Sequence, residues 1–258
     1  MKFALGAAAL LLSAGSASAA TMYVHDSSGR LGRVDTRTGV AQVIGNLGVV
    51  LTDIAFDPLG RLFGVSFSDL YAVDAATAAT TRIGRLGIPT ANALVFGRDG
   101  TLYGAGAGSA DLYAIDTATG AATSLGSTGF ASGGDLAFVG ADLFLASDGG
   151  QLVRLDLADL GASAAVGTFG VDDVFGIATD GAGTLFGVGG TTIFEVDPTD
   201  ASTLSSVSFA GQGLRAAFGQ SFRAEAGGPD PETSPIPLPA TGLLLAGALG
   251  ALSLRRRR

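Results

Sequence analysis

A strand ending in aspartate recurs at a period near forty residues, the segments between alternate apolar and polar, and the array ends on one inner strand without partners. Together these predict an all-β fold, a β-propeller of five blades closed by a composite blade. The repeated line is clearest at Leu70–Asp74 (LYAVD), Leu112–Asp116 (LYAID), Leu152–Asp156 (LVRLD) and Ile193–Asp197 (IFEVD), with a fainter copy at Leu31–Asp35 (LGRVD). The closing aspartates are spaced by 39, 42, 40 and 41 residues. Helical repeats of that length are excluded, because Gly, Asp and Thr interrupt the pattern every few residues and its period is two.

Within one repeat four short strands are expected. In the unit after Gly87 they fall at 93–96, 101–105, 111–116 and 121–125, from the inner strand outward. Asp57–Gly60 (DPLG), Gly97–Gly100 (GRDG) and Asp180–Gly183 (DGAG) are hairpin turns between the first two strands, where glycine supplies positive φ. Between strands three and four stand Asp35–Gly39 (DTRTG) and Asp116–Gly120 (DTATG), with variants from Asp74 and Asp197. Each aspartate there fixes its turn by accepting backbone N–H groups two or three residues on. A calcium role is disfavoured, since each hairpin offers a single carboxylate.

Inner strands are expected near residues 53, 93, 135, 174 and 214, the last spanning 214–218. That last one has no successors, whereas three strands at the N-terminal end (21–25, 30–35, 40–45) have no inner strand. Joining them closes the ring without a free edge at the junction. The motif Leu-Tyr-x-Ile-Asp-x-x-Thr-Gly at this period resembles the hairpin repeat of quinoprotein-type and related bacterial propellers, a resemblance that carries fold and no function.

The two ends read differently. Lys2, the apolar run 3–12 and the small residues Ala17 and Ala19 form an export signal for signal peptidase, cut after Ala19 or Ala20; the run is too short to span a bilayer. The domain plan is therefore signal peptide 1–19, propeller 20–223, a Gly/Pro/acidic linker 224–235 and a tail 236–258. That tail holds Ile236, Pro237, Leu238, Pro239 and Ala240, then Thr241 and Gly242, an apolar stretch 243–254, and the stop-transfer cluster Arg255, Arg256, Arg257 and Arg258. It resembles the PEP-CTERM sorting domains of Gram-negative bacteria, in the VPLPA variant, with isoleucine for the first valine. The resemblance implies processing by a membrane exosortase-type enzyme and delivery to the cell surface or extracellular matrix. Leu238–Gly242 also fits the LPxTG pattern of sortase substrates, with the cut between Thr241 and Gly242; the short apolar stretch directly after the motif favours the first reading.

Composition narrows function further. Without Lys2 and the terminal arginines the chain has ten basic residues against 23 acidic ones, a surface that repels nucleic acid. There is no cysteine, so disulfides and thiol chemistry are excluded. His25, the only histidine, sits in a strand pattern as a partly exposed residue. Of three glutamates, Glu195 lies on a third strand, and Glu225 and Glu232 fall in the linker, which argues against a two-carboxylate glycosidase. Aligning the blades brings Asp53, Ala93, Asp135, Gly176 and Arg215 to one ring, with Asn92 and Asp173 nearby as further channel candidates for a cation or sugar hydroxyls; the ordinary alternative is a water-lined channel. No metal or cofactor is expected. The reading is a non-enzymatic surface or matrix protein whose partners, beyond the processing enzymes, are extracellular polysaccharide or envelope proteins. A secreted carbohydrate-active hydrolase or lyase is the alternative, and a lectin a third, weakened by the absence of tryptophan.

Overall fold

The computed structural model describes residues 20–227. Ala17 and Ala19 of the export signal, residues 228–235 of the linker, the sorting motif and the arginine cluster lie outside the described residues. Five four-stranded antiparallel sheets stand around one axis. Blade 1 is β4 (Asp53–Phe56), β5 (Leu62–Val65), β6 (Asp69–Val73) and β7 (Thr80–Arg85). Blade 2 is β8 (Ala91–Phe96), β9 (Leu102–Gly106), β10 (Ser109–Ile115) and β11 (Ala122–Ser127). Blade 3 is β12 (Ser132–Val139), β13 (Asp142–Ser147), β14 (Gln151–Leu155) and β15 (Ala164–Thr168); blade 4 is β16 (Val174–Thr179), β17 (Leu185–Gly189), β18 (Thr192–Val196) and β19 (Thr203–Ser208). Blade 5 is composite, in the order β20 (Ala217–Ser221), β1 (Thr21–Asp26), β2 (Arg30–Asp35) and β3 (Ala41–Asn46).

The predicted closure therefore forms, but three residues later in the chain than expected. The segment 214–218 was read as the inner strand, and the strand is Ala217–Ser221, with Tyr23 opposite Ser221 and His25 opposite Gly219. In the other blades a covalent first turn fixes the register; β20 and β1 have no turn between them, so the sequence offers nothing to align. Leu214 instead packs beneath Gly32, whose missing side chain leaves the room: a Cβ there would lie 2.8 Å from the Leu214 methyl. The closure carries a latch that the sequence does not announce. Asp26 accepts the backbone N–H groups of Ser28 and Arg30 in its own turn and of Arg215 at 2.7 Å, across 189 residues. Burial opposes its ionisation, but these bonds outweigh burial and hold its pKa below the usual carboxylate value.

The buried apolar residues fall into five clusters, one between each pair of neighbouring blades. Alternation explains this. Leu94 faces blade 1 while Val95 faces blade 3, and Tyr23 faces blade 1 while Met22 and Val24 face blade 4. Each sheet is covered on both sides, so its inner strands read as nearly unbroken apolar runs and burial drives blade stacking. The hairpin aspartates act as their spacing predicts: Asp35, Asp74, Asp116 and Asp156 each accept two backbone N–H groups two and three residues on.

Blades also meet through glycines at a fixed place on the fourth strand, ten or eleven residues after the repeat aspartate: Gly45, Gly84 and Gly167. A Cβ on Gly84 would fall on the carbonyl oxygen of Thr119, and one on Gly167 on that of Asp200. The outer strand of one blade lies directly against the aspartate turn of the next.

Candidate functional site

The inner strands β4, β8, β12, β16 and β20 surround the axis, each touching the next. Each turns its unpaired edge toward a neighbour, leaving backbone N–H groups to be satisfied. The register of the hairpins defines the ring position: Asp53 pairs with Val65, Ala93 with Ala105, Asp135 with Ala146, Gly176 with Val188, and Gly219 with His25. Arg215 is thus not the fifth member. It lies four residues before Gly219, exposed at the entrance, and contributes to the ring only its backbone N–H.

Asp53 and Asp135 are buried, with 0% and 1% of their surfaces exposed, and they do not line an open channel. Asp53 accepts the N–H of Ile54 at 2.8 Å and, from the next blade, that of Leu94 at 2.6 Å. Asp135 repeats the arrangement with Leu136 at 2.7 Å and Ile177 at 2.9 Å. The two carboxyls are near enough to perturb each other's ionisation. Burial pushes both pKa values well above the ordinary carboxylate range, and in Asp135 the neighbouring Asp53 charge adds to the rise. Two buried carboxyls acting on each other in this way disfavour the state in which both are ionised. A carboxyl pair of this kind can serve acid–base chemistry; here both groups are buried and each holds backbone N–H groups of two blades.

Two groups join them against expectation. Glu225, read as linker, is buried at the exit of the axis: it accepts a hydrogen bond from the Ser221 hydroxyl at 2.8 Å and from the Thr179 N–H at 3.2 Å, bridging blades 5 and 4. Ser221 in turn accepts the Phe56 N–H of blade 1. Burial raises the Glu225 pKa to about 8 against these bonds. Residues 224–227 follow β20 as a turn, Ala226 is buried with the core between blades 1 and 2, and Arg223 covers the exit over the rings of Tyr23 and Phe56. His25, expected to be partly exposed, is 1% exposed; neither ring nitrogen has a hydrogen-bond partner among the described residues. Burial lowers its pKa to about 4, with Asp26 pulling weakly the other way. Glu195 lies on the third strand of blade 4, as read, bonded to Ser205.

A pH signature follows. Between about pH 4 and 6.5 the unfolded chain binds a proton that folded His25 refuses, so His25 makes stability rise with pH, while the raised carboxyls make it fall. Above pH 6.5 only the carboxyls act: folded Glu225 keeps its proton to about pH 8 when the unfolded chain has lost it. Stability should drop by about 2 kcal/mol from Glu225 alone between pH 6.5 and 8. Urea unfolding across that range measures it, and Glu225→Gln should remove this part of the slope.

The opposite mouth is different in kind. Val50, Phe67 and Phe175, 63%, 57% and 37% exposed, stand with Phe218 around a cavity of about 210 Å³. The rings of Phe175 and Phe218 meet edge to face, with centroids 6.1 Å apart. Its floor is the backbone of Gly133 and Gly134; a Cβ on Gly134 would strike the Phe175 backbone, so glycine permits the close approach. Asn92 is beneath, donating to the Ser132 carbonyl at 3.1 Å, with its Oδ1 buried and unpartnered among the described residues. Asp173 is exposed on the loop leading to Phe175 and adopts φ of 54°. Of the sequence-derived candidates, then, Asn92 lines the mouth cavity, Asp173 and Arg215 are exposed two and three residues before its wall residues Phe175 and Phe218, and Asp53 and Asp135 belong to the closed axis.

Two grooves between blades differ in size and lining. One of about 770 Å³ between blades 1 and 2 is lined by Arg61, Phe63, Thr81 and Arg223, whereas one of about 250 Å³ between blades 4 and 5 is lined by Arg37, Phe186, Glu195 and Ser205. Among the described residues no helix is long and apolar enough to cross a membrane, and no cluster of His, Cys, Asp or Glu is arranged to hold a metal ion.

No family model matches the sequence, and no curated protein matches it. Among solved structures, a chain of the nidogen/laminin complex superimposes with a TM-score of 0.55 at 11% identity, over 78% of this chain and 97% of that one. A symmetrical protein from work on de novo evolutionary emergence gives 0.49 at 19% identity, over 73% and 98% of the two chains. A protein of unknown function from Bacteroides caccae gives 0.48 at 10% identity, over 74% and 73%. The likeness to the nidogen/laminin chain is one of fold, and the fold of this chain is a five-bladed β-propeller.

Proposed function

We propose that this chain is an exported, non-enzymatic binding module, delivered to the cell surface or extracellular matrix by its tail and engaging its target through the apolar mouth of the propeller. The observation that carries the binding role is the contrast between the two ends of the axis. At one end and along the middle, Asp53, Asp135, Ser221 and Glu225 are committed to backbone N–H groups and buried. At the other, three large apolar side chains stand in solvent around one cavity, a grouping that soluble surfaces avoid unless something covers it. Among the described residues the acid–base groups on the axis are buried and, His25 apart, bonded to backbone N–H groups, which supports a role without catalysis.

Delivery rests on the sequence of the two ends: the export signal up to Ala19 or Ala20, and the Ile236–Gly242 motif followed by an apolar stretch and Arg255–Arg258. On this reading signal peptidase removes the first segment and an exosortase-type enzyme cuts at the motif, with sortase cleavage between Thr241 and Gly242 as the rival. Intact mass of the protein from surface, membrane and medium fractions of its host decides. The expected species begins at Ala20 or Thr21 and lacks the apolar segment; a chain still ending in Arg258 sinks the sorting reading.

A further inference from the structure

The mouth cavity is selective in what it can hold. At about 210 Å³ it lies below the roughly 300–1,000 Å³ typical of small-molecule sites, and suits a single side chain rather than a whole ligand. Its side chains offer almost no hydrogen bonding to an occupant: the Asn92 amide is spent on Ser132, its oxygen is buried, and the Thr52 hydroxyl lies between the carbonyls of Val65 and Ala91. A sugar or a charged small molecule entering this space would lose hydration and regain little, whereas an apolar side chain loses nothing and buries surface. The walls of Val50, Phe67, Phe175 and Phe218 come from blades 1, 4 and 5 and the loop before blade 1, so the cavity exists only in the closed ring.

The rim is charged, and unevenly. Asp148 is exposed beside the floor, its N–H bonded to Ala131 and next to Gly133; Asp172 and Asp173 are exposed just before Phe175. Arg215, three residues before Phe218, is the counterweight. Exposed carboxylates next to the lining residues Gly133 and Phe175, on a chain of formal charge −8, favour a cationic approach and disfavour an anionic lipid surface.

We propose that the mouth receives one large apolar side chain, aromatic or branched, projecting from a partner protein segment that carries lysine or arginine beside it. The apolar side chain is the buried anchor and the flanking cation pairs with the rim, the usual division between hot spot and periphery. This rests on the reading of the propeller as a binding module and is independent of how the tail is processed.

Fluorescence anisotropy with the purified full-length chain tests it. The probes are two labelled peptides, acetyl-Gly-Lys-Phe-Lys-Gly-amide and its counterpart with glutamate for both lysines. The lysine peptide should bind with a Kd on the order of 1 mM, and the glutamate peptide about tenfold more weakly, a gap that narrows with salt. Phe67→Ser and Val50→Ser should each weaken the lysine peptide severalfold; both positions are largely exposed, and an unchanged melting temperature verifies the fold. Equal affinity for the two peptides, no binding, or indifference to both substitutions overturns the proposal. So does Phe67-dependent pelleting with phosphatidylcholine vesicles, which assigns the mouth to a membrane, or self-association abolished by Phe67→Ser, which assigns it to a second copy. Any of these results, with the tail shown by mass to be processed, leaves the sorting reading intact.

Discussion

Asp135→Ala should destabilise the propeller by about 3 kcal/mol, while Asp135→Asn should cost less than about 1 kcal/mol. The alanine variant strips the acceptor from the N–H groups of Leu136 and Ile177, on two different blades. Each buried, unsatisfied N–H is worth about 1–3 kcal/mol. Asparagine keeps an acceptor oxygen for those N–H groups and carries no charge to bury. Urea midpoints decide: equal losses in the two variants would mean that the pair is not what ties the inner strands together.

Gly84→Ala and Gly167→Ala should each cost about 3 kcal/mol, at the upper end of overpacking penalties. In both, the added methyl falls on a backbone carbonyl of the next blade, Thr119 or Asp200, and neither can swing aside as a side chain would. Two blades must separate, disturbing an apolar cluster in each case: that between blades 1 and 2 for Gly84, and between blades 3 and 4 for Gly167. Gly170→Ala is the control. Nothing lies within 4 Å of its added carbon and its φ is not left-handed, so its effect should stay within about 0.5 kcal/mol. A Gly84 variant as stable as the control would show that the blades slide freely past one another.

The repeat made the architecture legible. Turn aspartates recur at a regular interval because each hairpin solves the same local problem, and local solutions leave marks in sequence. Composite closure could be counted, since three strands at one end lacked an inner partner and one at the other lacked successors. The register of that closure could not be read, because no turn joins β20 to β1; placing Arg215 on the ring was the result. Glu225 was missed for a related reason: it follows a Gly/Pro/acidic composition typical of linkers, and only the ring brings Ser221 and Thr179 to it. Burial of His25 has no local signature either, since its strand alternates like any other and its cover comes from β20. The mouth was hidden most completely. Val50, Phe67, Phe175 and Phe218 each look like ordinary apolar residues of their own blade, and only their convergence from separate blades makes a cavity. The fourth-strand glycines, by contrast, were visible at their fixed offset and simply went unread.

Closing the ring with strands from opposite ends sets the order in which the molecule can assemble. β1 pairs with residues nearly two hundred positions downstream, so the entropy of closing that loop must be met before the pair forms. Blades 1 to 4 are each made of consecutive hairpins and can form as the chain emerges, but β1 waits with one edge bare until Ala217–Ser221 arrives. Fastening the last strand is then the expected slow step of folding, and a chain that has not yet closed exposes its β1 edge to any neighbour in the same state. The Asp26 carboxylate, waiting for the Arg215 N–H, acts at that moment: it rewards the correct mate over a stranger's strand.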